Sequence, residues 1–134
     1  MESGQYLKFL SHLKINVAKK NLFFKITLNK RELYFAQLLK QRGIIRRFFD
    51  AHTTQHARKM YIIYPNHTRF SNSNLRLVLF SRNADQIQVS LKALLLMNAA
   101  SGGSSFLLKT DRGLLTHQEA IKQRVGGILF GLIY

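Results

Sequence analysis

"KTDRGLLTHQEAIKQRVGGILFGLIY", Lys109 to Tyr134, closes the chain, and its reading decides the rest. It opens on a polar segment that ends at Gly113, and Leu114 and Leu115 then return to apolar character. Thr116 stands three residues before Glu119, the spacing of a capping box, so a short helix is expected from His117. Gly126 and Gly127 are expected to stop that helix. "ILFGLIY" is apolar without interruption, which predicts a strand buried on both faces, with Leu129 and Leu132 in the core. With Phe106–Leu108 as a second core strand, Lys109–Gly113 and the start of "THQEA" are held out between two packed elements. Hydroxyls, amides, backbone N–H groups and cations cluster there, a set suited to phosphate, ribose hydroxyls and base edges.

Working outward, the 134 residues suit one compact domain or two small ones, and 46% hydrophobic content is enough for a core. There is no Cys, which excludes disulfides, thiolate metal sites and a cysteine nucleophile. Charge dominates: 21 Lys+Arg oppose 6 Asp+Glu, a formal +15 spread along the chain. Such an excess repels itself unless something neutralises it; nucleic acid is the commonest partner and an anionic membrane the second candidate. No apolar run approaches the ~18–20 residues of a membrane span, and no membrane partner is expected.

The first stretch reads as a helix, because Tyr6, Phe9, Leu10, Leu13 and Val17 make one apolar stripe. A basic amphipathic start also suits a targeting segment, but no Arg precedes Arg31, and a structural helix is the reading taken here. Leu22–Leu28 is short and rich in aromatic and β-branched residues, a strand. Asn29 with Glu32 forms a capping box for a second helix, which Gly43 ends. Ile44–Phe49 and Lys59–Tyr64 read as strands. The polar loop Asn66–Asn74 is the expected boundary, giving an N-terminal α/β domain over 1–74 and a mainly β domain over 75–134. In the second domain "LRLVLFSR" and the alternating "IQVSLKAL" read as strands, "LLLMNAASGG" as a helical turn, and "FLLKT" as another strand. The fold class is α+β: an α-β-α-β-β unit followed by a smaller, mainly β domain with a short helix.

At this point a resemblance emerges. "LKTDRGLLTHQEAIKQRVGG" is similar to the C-terminal signature of the eighth protein of the small ribosomal subunit. That family carries a Ser-Thr-x-x-Gly loop, two apolar residues, a Thr- or Asp-led short helix, Gly-Gly and a closing apolar strand. "LLKQRGIIRRF" resembles the end of its second helix, and "FSRNADQIQVSL" more weakly resembles its middle motif; Ala51–Leu79 matches poorly. The resemblance implies a structural protein that binds the central domain of small-subunit ribosomal RNA early in assembly, beside other ribosomal proteins. It implies RNA contacts at Lys109, Thr110, Asp111, Arg112, Gly113, Thr116, His117, Gln118, Lys122, Gly126 and Gly127. Lys14, Lys30 and Arg31 are added as basic residues expected to meet RNA.

The sequence also departs from the family pattern. Lys109 replaces a hydroxyl, Asp111 stands where Ser is frequent, Ile128 stands where many bacterial members have Glu, and Asn83-Ala84 replaces Pro-Gly. With a Phe/Leu/Ile-rich, Asp-poor composition, these departures point to a divergent mitochondrial member; a plastid or bacterial cytoplasm is the alternative. The first helix begins near Tyr6, so a leader is expected either to have been removed or never to have been needed by an organelle-encoded product.

Other readings are weaker. Phe23, Phe24, Tyr34, Phe35, Phe48 and Phe49 sit at core spacing and are expected inside rather than as stacking platforms. His52 and His56 lack a third ligand, so no metal is expected. No Ser-His-Asp or paired-carboxylate spacing exists, so no catalysis, cofactor or small-molecule substrate is expected. A ribosomal RNA-binding protein, a free-standing basic RNA-binding protein and a nucleic-acid-processing enzyme remain as classes; co-sedimentation with small subunits separates the first two. The absence of an acidic metal-binding cluster argues against the third.

Overall fold

A computed structural model describes residues 3–52, 59–80 and 87–134. They divide into two compact units, one ending at Leu75 and the other starting at Arg76.

The first unit runs α1 (Ser3–Ala18), β1 (Phe24–Leu28), α2 (Lys30–Gln41), β2 (Ile45–Asp50) and β3 (Lys59–Pro65). The α1 stripe of Tyr6, Phe9, Leu10, Leu13 and Val17 is buried, as its spacing requires. Phe35 on α2 meets the edges of the Tyr6 and Phe9 rings at 5.6 and 6.3 Å. The Asn29–Glu32 capping box is formed in both directions, at 2.9 and 3.1 Å, and satisfies two donors at the start of α2. The three strands are antiparallel in the order β1-β3-β2. Alternation in β1 buries Phe24, Ile26 and Leu28 and exposes Lys25. Beyond β3, Arg69 donates to the carbonyl of Arg42 and Asn66 Nδ2 donates to that of Gly43 at 2.8 Å, pinning the loop to the end of α2. Burial, and then the neighbouring Arg42 charge, lower the pKa of Arg69.

One expectation for this unit is half wrong. Phe24 and Phe35 are core, but Phe23, Tyr34 and Phe49 are exposed. Apolar spacing does not say which face of a sheet is covered, as at Phe49, or where the buried stripe of a helix ends, as at Tyr34.

The second unit contains β4 (Leu77–Leu79), β5 (Gln88–Val89), α3 (Leu91–Ser101), β6 (Ser105–Thr110), β7 (Gly113–Thr116), α4 (His117–Gln123) and β8 (Gly127–Ile133). The antiparallel sheet has the order β4-β8-β6-β7, with β5 also paired to β8. The fold class read from the sequence is the one observed.

Three details of this unit differ from expectation. The alternating "IQVSLKAL" is a strand only at Gln88–Val89, because the Ser90 hydroxyl accepts from Ala93 N–H and starts α3. The Leu, Lys, Ala and Met residues that follow are strong helix formers, and they make a helix rather than a single turn. Secondly, α4 stops at Arg124, which takes the left-handed conformation at φ 58°, before Gly126 and Gly127 are reached. Thirdly, β8 is not buried on both faces: Phe130 and Ile133 are core, whereas Leu129 and Leu132 are half-buried. The strand expected over "LRLVLFSR" is observed at Leu77–Leu79, and its last two residues lie outside the described segments, as do Asn83 and Ala84.

Candidate nucleic-acid interface

The polar closing segment is a tight hairpin. Lys109 and Thr110 end β6, Asp111 and Arg112 make the turn, and Gly113 opens β7 opposite Thr110. Gly113 has φ +101° while neither turn residue has positive φ, the pattern of an ordinary turn followed by a glycine bulge. The Thr110 hydroxyl donates to the Gly113 carbonyl at 2.8 Å and accepts from Arg112 N–H at 3.1 Å. Its one proton is therefore used inside the hairpin, and a single lone pair remains.

Arg112 is held from the other side, its guanidinium donating to Gln123 Oε1 at 2.7 Å. Gln123 Nε2 in turn donates to Glu119 Oε2 at 2.8 Å, so hairpin and α4 are linked through side chains. Glu119 thus serves α4 rather than closing a reciprocal box: the Thr116 hydroxyl accepts from Glu119 N–H, while the Glu119 carboxylate faces Gln123. Lys109 Nζ lies 5.1 Å from the centroid of the buried Phe130 ring, a cation–π contact that anchors its stem.

Gly126 and Gly127 lie between two strands. A Cβ on Gly126 would sit 2.5 Å from the Val89 carbonyl oxygen, and one on Gly127 would sit 2.5 Å from that of Lys109. These glycines exist for close backbone approach rather than for ending a helix. They form the floor of a cleft of about 830 Å³, walled by Lys109–Arg112 on one side and Gln88–Ser90 on the other, with Val125 and Ile128 completing it.

Of the residues singled out from the sequence, Lys109, Thr110, Asp111, Arg112, Gly126 and Gly127 thus meet in one cleft, with Gly113 closing the turn of its hairpin. Lys122 is exposed on α4, and Gln118 is partly buried with its Oε1 shielded from solvent. Lys14, Lys30 and Arg31 are exposed in the other unit. Thr116 and His117 are both buried, His117 completely. His117 Nδ1 accepts from Phe106 N–H at 2.9 Å, which places the proton on Nε2, 3.0 Å from Asn98 Oδ1. A ring occupied on both nitrogens ties β6 to α3 and presents no edge to a ligand. The Gln88–Ser90 wall was missed, because its place depends on pairing with β8, which local sequence does not encode.

Thr110→Ala is expected to lower stability by about 1 kcal/mol, through loss of the two hydroxyl bonds that close the turn. Thr110→Ser, which keeps them, is expected to melt close to wild type. Equal melting of the alanine and serine variants would remove the hydroxyl from the account.

Among the described residues no group of His, Asp and Glu side chains is placed to hold a metal ion. His56 lies outside them, and the exposed His52 backbone N–H donates to Asp50 Oδ1 at 2.7 Å. No helix among the described residues is long and apolar enough to cross a membrane.

No curated protein matches the chain. A family model described as Ribosomal protein S8 matches residues 8–134, from within α1 to the last residue, and so takes in both units, the hairpin and the Gly-Gly floor. The chain belongs to the ribosomal protein S8 family.

Proposed function

We propose that this protein binds the central domain of small-subunit ribosomal RNA through the hairpin-and-glycine cleft and supports assembly of the subunit. Membership of its family makes it a small-subunit ribosomal protein that binds ribosomal RNA among other ribosomal proteins, in a structural rather than enzymatic role. The observation that carries the finer reading is the convergence of Lys109–Arg112, Gly126–Gly127 and Gln88–Ser90 on one cleft. Lys109 and Arg112 supply cations for phosphate, and Arg112 is already oriented by Gln123. Asp111 and the free lone pair of Thr110 are acceptors for a ribose hydroxyl or a base amino group. The glycine floor lets a sugar or base edge approach the backbone. Thr116, His117 and Gln118 position α4, Lys122 adds a cation on its surface, and Lys14, Lys30 and Arg31 add phosphate contacts from the first unit. The composition and the departures at Lys109, Asp111 and Ile128 favour a mitochondrial ribosome.

The test is a titration of the cognate ribosomal RNA helix across salt concentrations. A slope of several units in log K against log[salt] is expected, because neutralised phosphates release counterions. Lys109→Ala is expected to weaken binding and lower that slope by about one. A flat dependence, or a Lys109→Ala variant indistinguishable from wild type, overturns the assignment. Sedimentation of the protein with small subunits from a mitochondrial lysate tests the location.

A further inference from the structure

The sheet of the first unit has one face buried and one open. Across the strands, Phe24, Ile63 and Phe48 are in register, with Phe24 and Ile63 buried. The neighbouring rows, Lys25–Ile62–Phe49 and Tyr64–Arg47, therefore point to the other side. Phe23, just ahead of β1, joins them, its ring 5.7 Å from that of Tyr64. This open face carries large rings that remain in solvent: Phe49 is 50% exposed and Phe23 is 44% exposed. Tyr64 lies between them, 5.9 Å from Phe49 in an edge contact. The Arg47 guanidinium lies over two of the rings, 4.9 Å from Tyr64 and 5.6 Å from Phe49.

Exposed rings on a sheet cost solvation free energy, and their arrangement here is specific. Contact with two rings restrains the guanidinium, while its N–H donors remain available to a ligand. Lys25 and Arg46 are exposed on the same two outer strands. The described residues of this unit hold two carboxylate side chains, and neither opposes these cations. Glu32 is buried in the α2 capping box, and Asp50, opposite Tyr61 on the other face, accepts from the His52 backbone N–H. Among the described residues of this unit, the face thus combines positive charge that no carboxylate opposes with accessible π-surface. A protein partner of ordinary composition would need its own acidic patch to dock there. Duplex RNA keeps its bases stacked away from such rings, whereas unpaired nucleotides present both phosphate and base faces.

We infer that the open face of the β1-β3-β2 sheet is a second RNA-binding surface, taking unpaired nucleotides whose bases stack on Phe23 and Phe49 while Arg47 and Lys25 hold the backbone. It shares no residue with the cleft and does not require the cleft to bind as proposed, since the cleft is tested on the cognate helix and this face on unstructured RNA.

The experiment uses the full chain and two labelled strands of equal length, an oligouridylate and its abasic ribose-phosphate counterpart, at a salt concentration that suppresses binding by charge alone. Wild type is expected to prefer the base-bearing strand by about fivefold or more. Phe23→Ala and Phe49→Ala are each expected to erase most of that preference, and Phe49→Tyr to retain it. Arg47→Lys, which keeps the charge but loses the guanidinium's contact with two rings, is expected to bind more weakly. Both phenylalanines are exposed, so the alanine variants are expected to melt with wild type; should either melt lower, Phe49→Tyr and Arg47→Lys decide the matter. Equal wild-type affinity for the two strands, or full preference in the alanine variants, overturns the inference. Variants that bind RNA normally but no longer sediment with small subunits also overturn it, and assign the face to a neighbouring protein.

Discussion

Gly127→Val is expected to destabilise the C-terminal unit by about 3 kcal/mol or more, and to abolish recognition of the cognate RNA helix with it. The first carbon of any side chain at this position falls 2.5 Å from the Lys109 carbonyl oxygen and 3.0 Å from Thr110 Cγ2. A flexible neighbour could turn aside, but a backbone carbonyl in a strand cannot move without its ladder. The chain cannot retreat the other way either, because the missing side chain of Gly126 faces the Val89 carbonyl at the same distance. β8 must therefore separate from β6 or from β5, and in either case the cleft floor and one of its walls part company. Gly103→Ala is the matched control, since a Cβ there meets nothing within 4 Å. Thermal melting of the two variants beside wild type checks the argument, and a Gly127→Val protein that melts with Gly103→Ala would show that the close approach is dispensable.

The same glycines mark how far the sequence could be read. Features that depend on residues a few positions apart were legible: the α1 stripe, the Asn29–Glu32 box, the Thr116 cap and the alternation of β1. Features that depend on a distant partner were not. Gly126 and Gly127 look like a helix stop, yet their need for hydrogen in place of a side chain comes from Val89 and Lys109, on strands that pair with β8. The alternation of "IQVSLKAL" continues across Ser90, and neither its pairing with β8 nor the cap that Ser90 makes for α3 is written in that alternation. His117 looks like an exposed polar residue at a helix start, because its partners Phe106 and Asn98 are brought to it by β6 and α3. Within the cleft, the hairpin wall was visible in Thr110 and Gly113, and the opposite wall was not. The exposed rings Phe23 and Phe49 are the reverse case, since apolar spacing predicts burial and says nothing of which sheet face is covered.

The half-buried positions of β8 lead to the second large effect. Ile133→Ala is expected to cost about 2–5 kcal/mol, because Ile133 is fully buried and its truncation leaves a cavity. It pairs with Leu77 on β4 and with the buried Ser105 on β6, so packed strands flank the space on both sides and restrict its collapse. Leu129 and Leu132 lie in the same strand but remain partly in solvent, and water can occupy part of any space they vacate. Leu129→Ala and Leu132→Ala are therefore expected to cost about 1–2 kcal/mol, nearer to the loss of partial apolar burial alone. Ile133→Val, removing one methyl group, is expected to fall at about 1 kcal/mol. Denaturant melts of the four variants give the ranking directly. Cognate RNA affinity, measured where each variant is still folded, is expected to stay near wild type in all four, since none of these side chains is proposed to touch RNA. If Leu132→Ala costs as much as Ile133→Ala, both faces of β8 are equally packed and the one-sided burial of this strand is wrong.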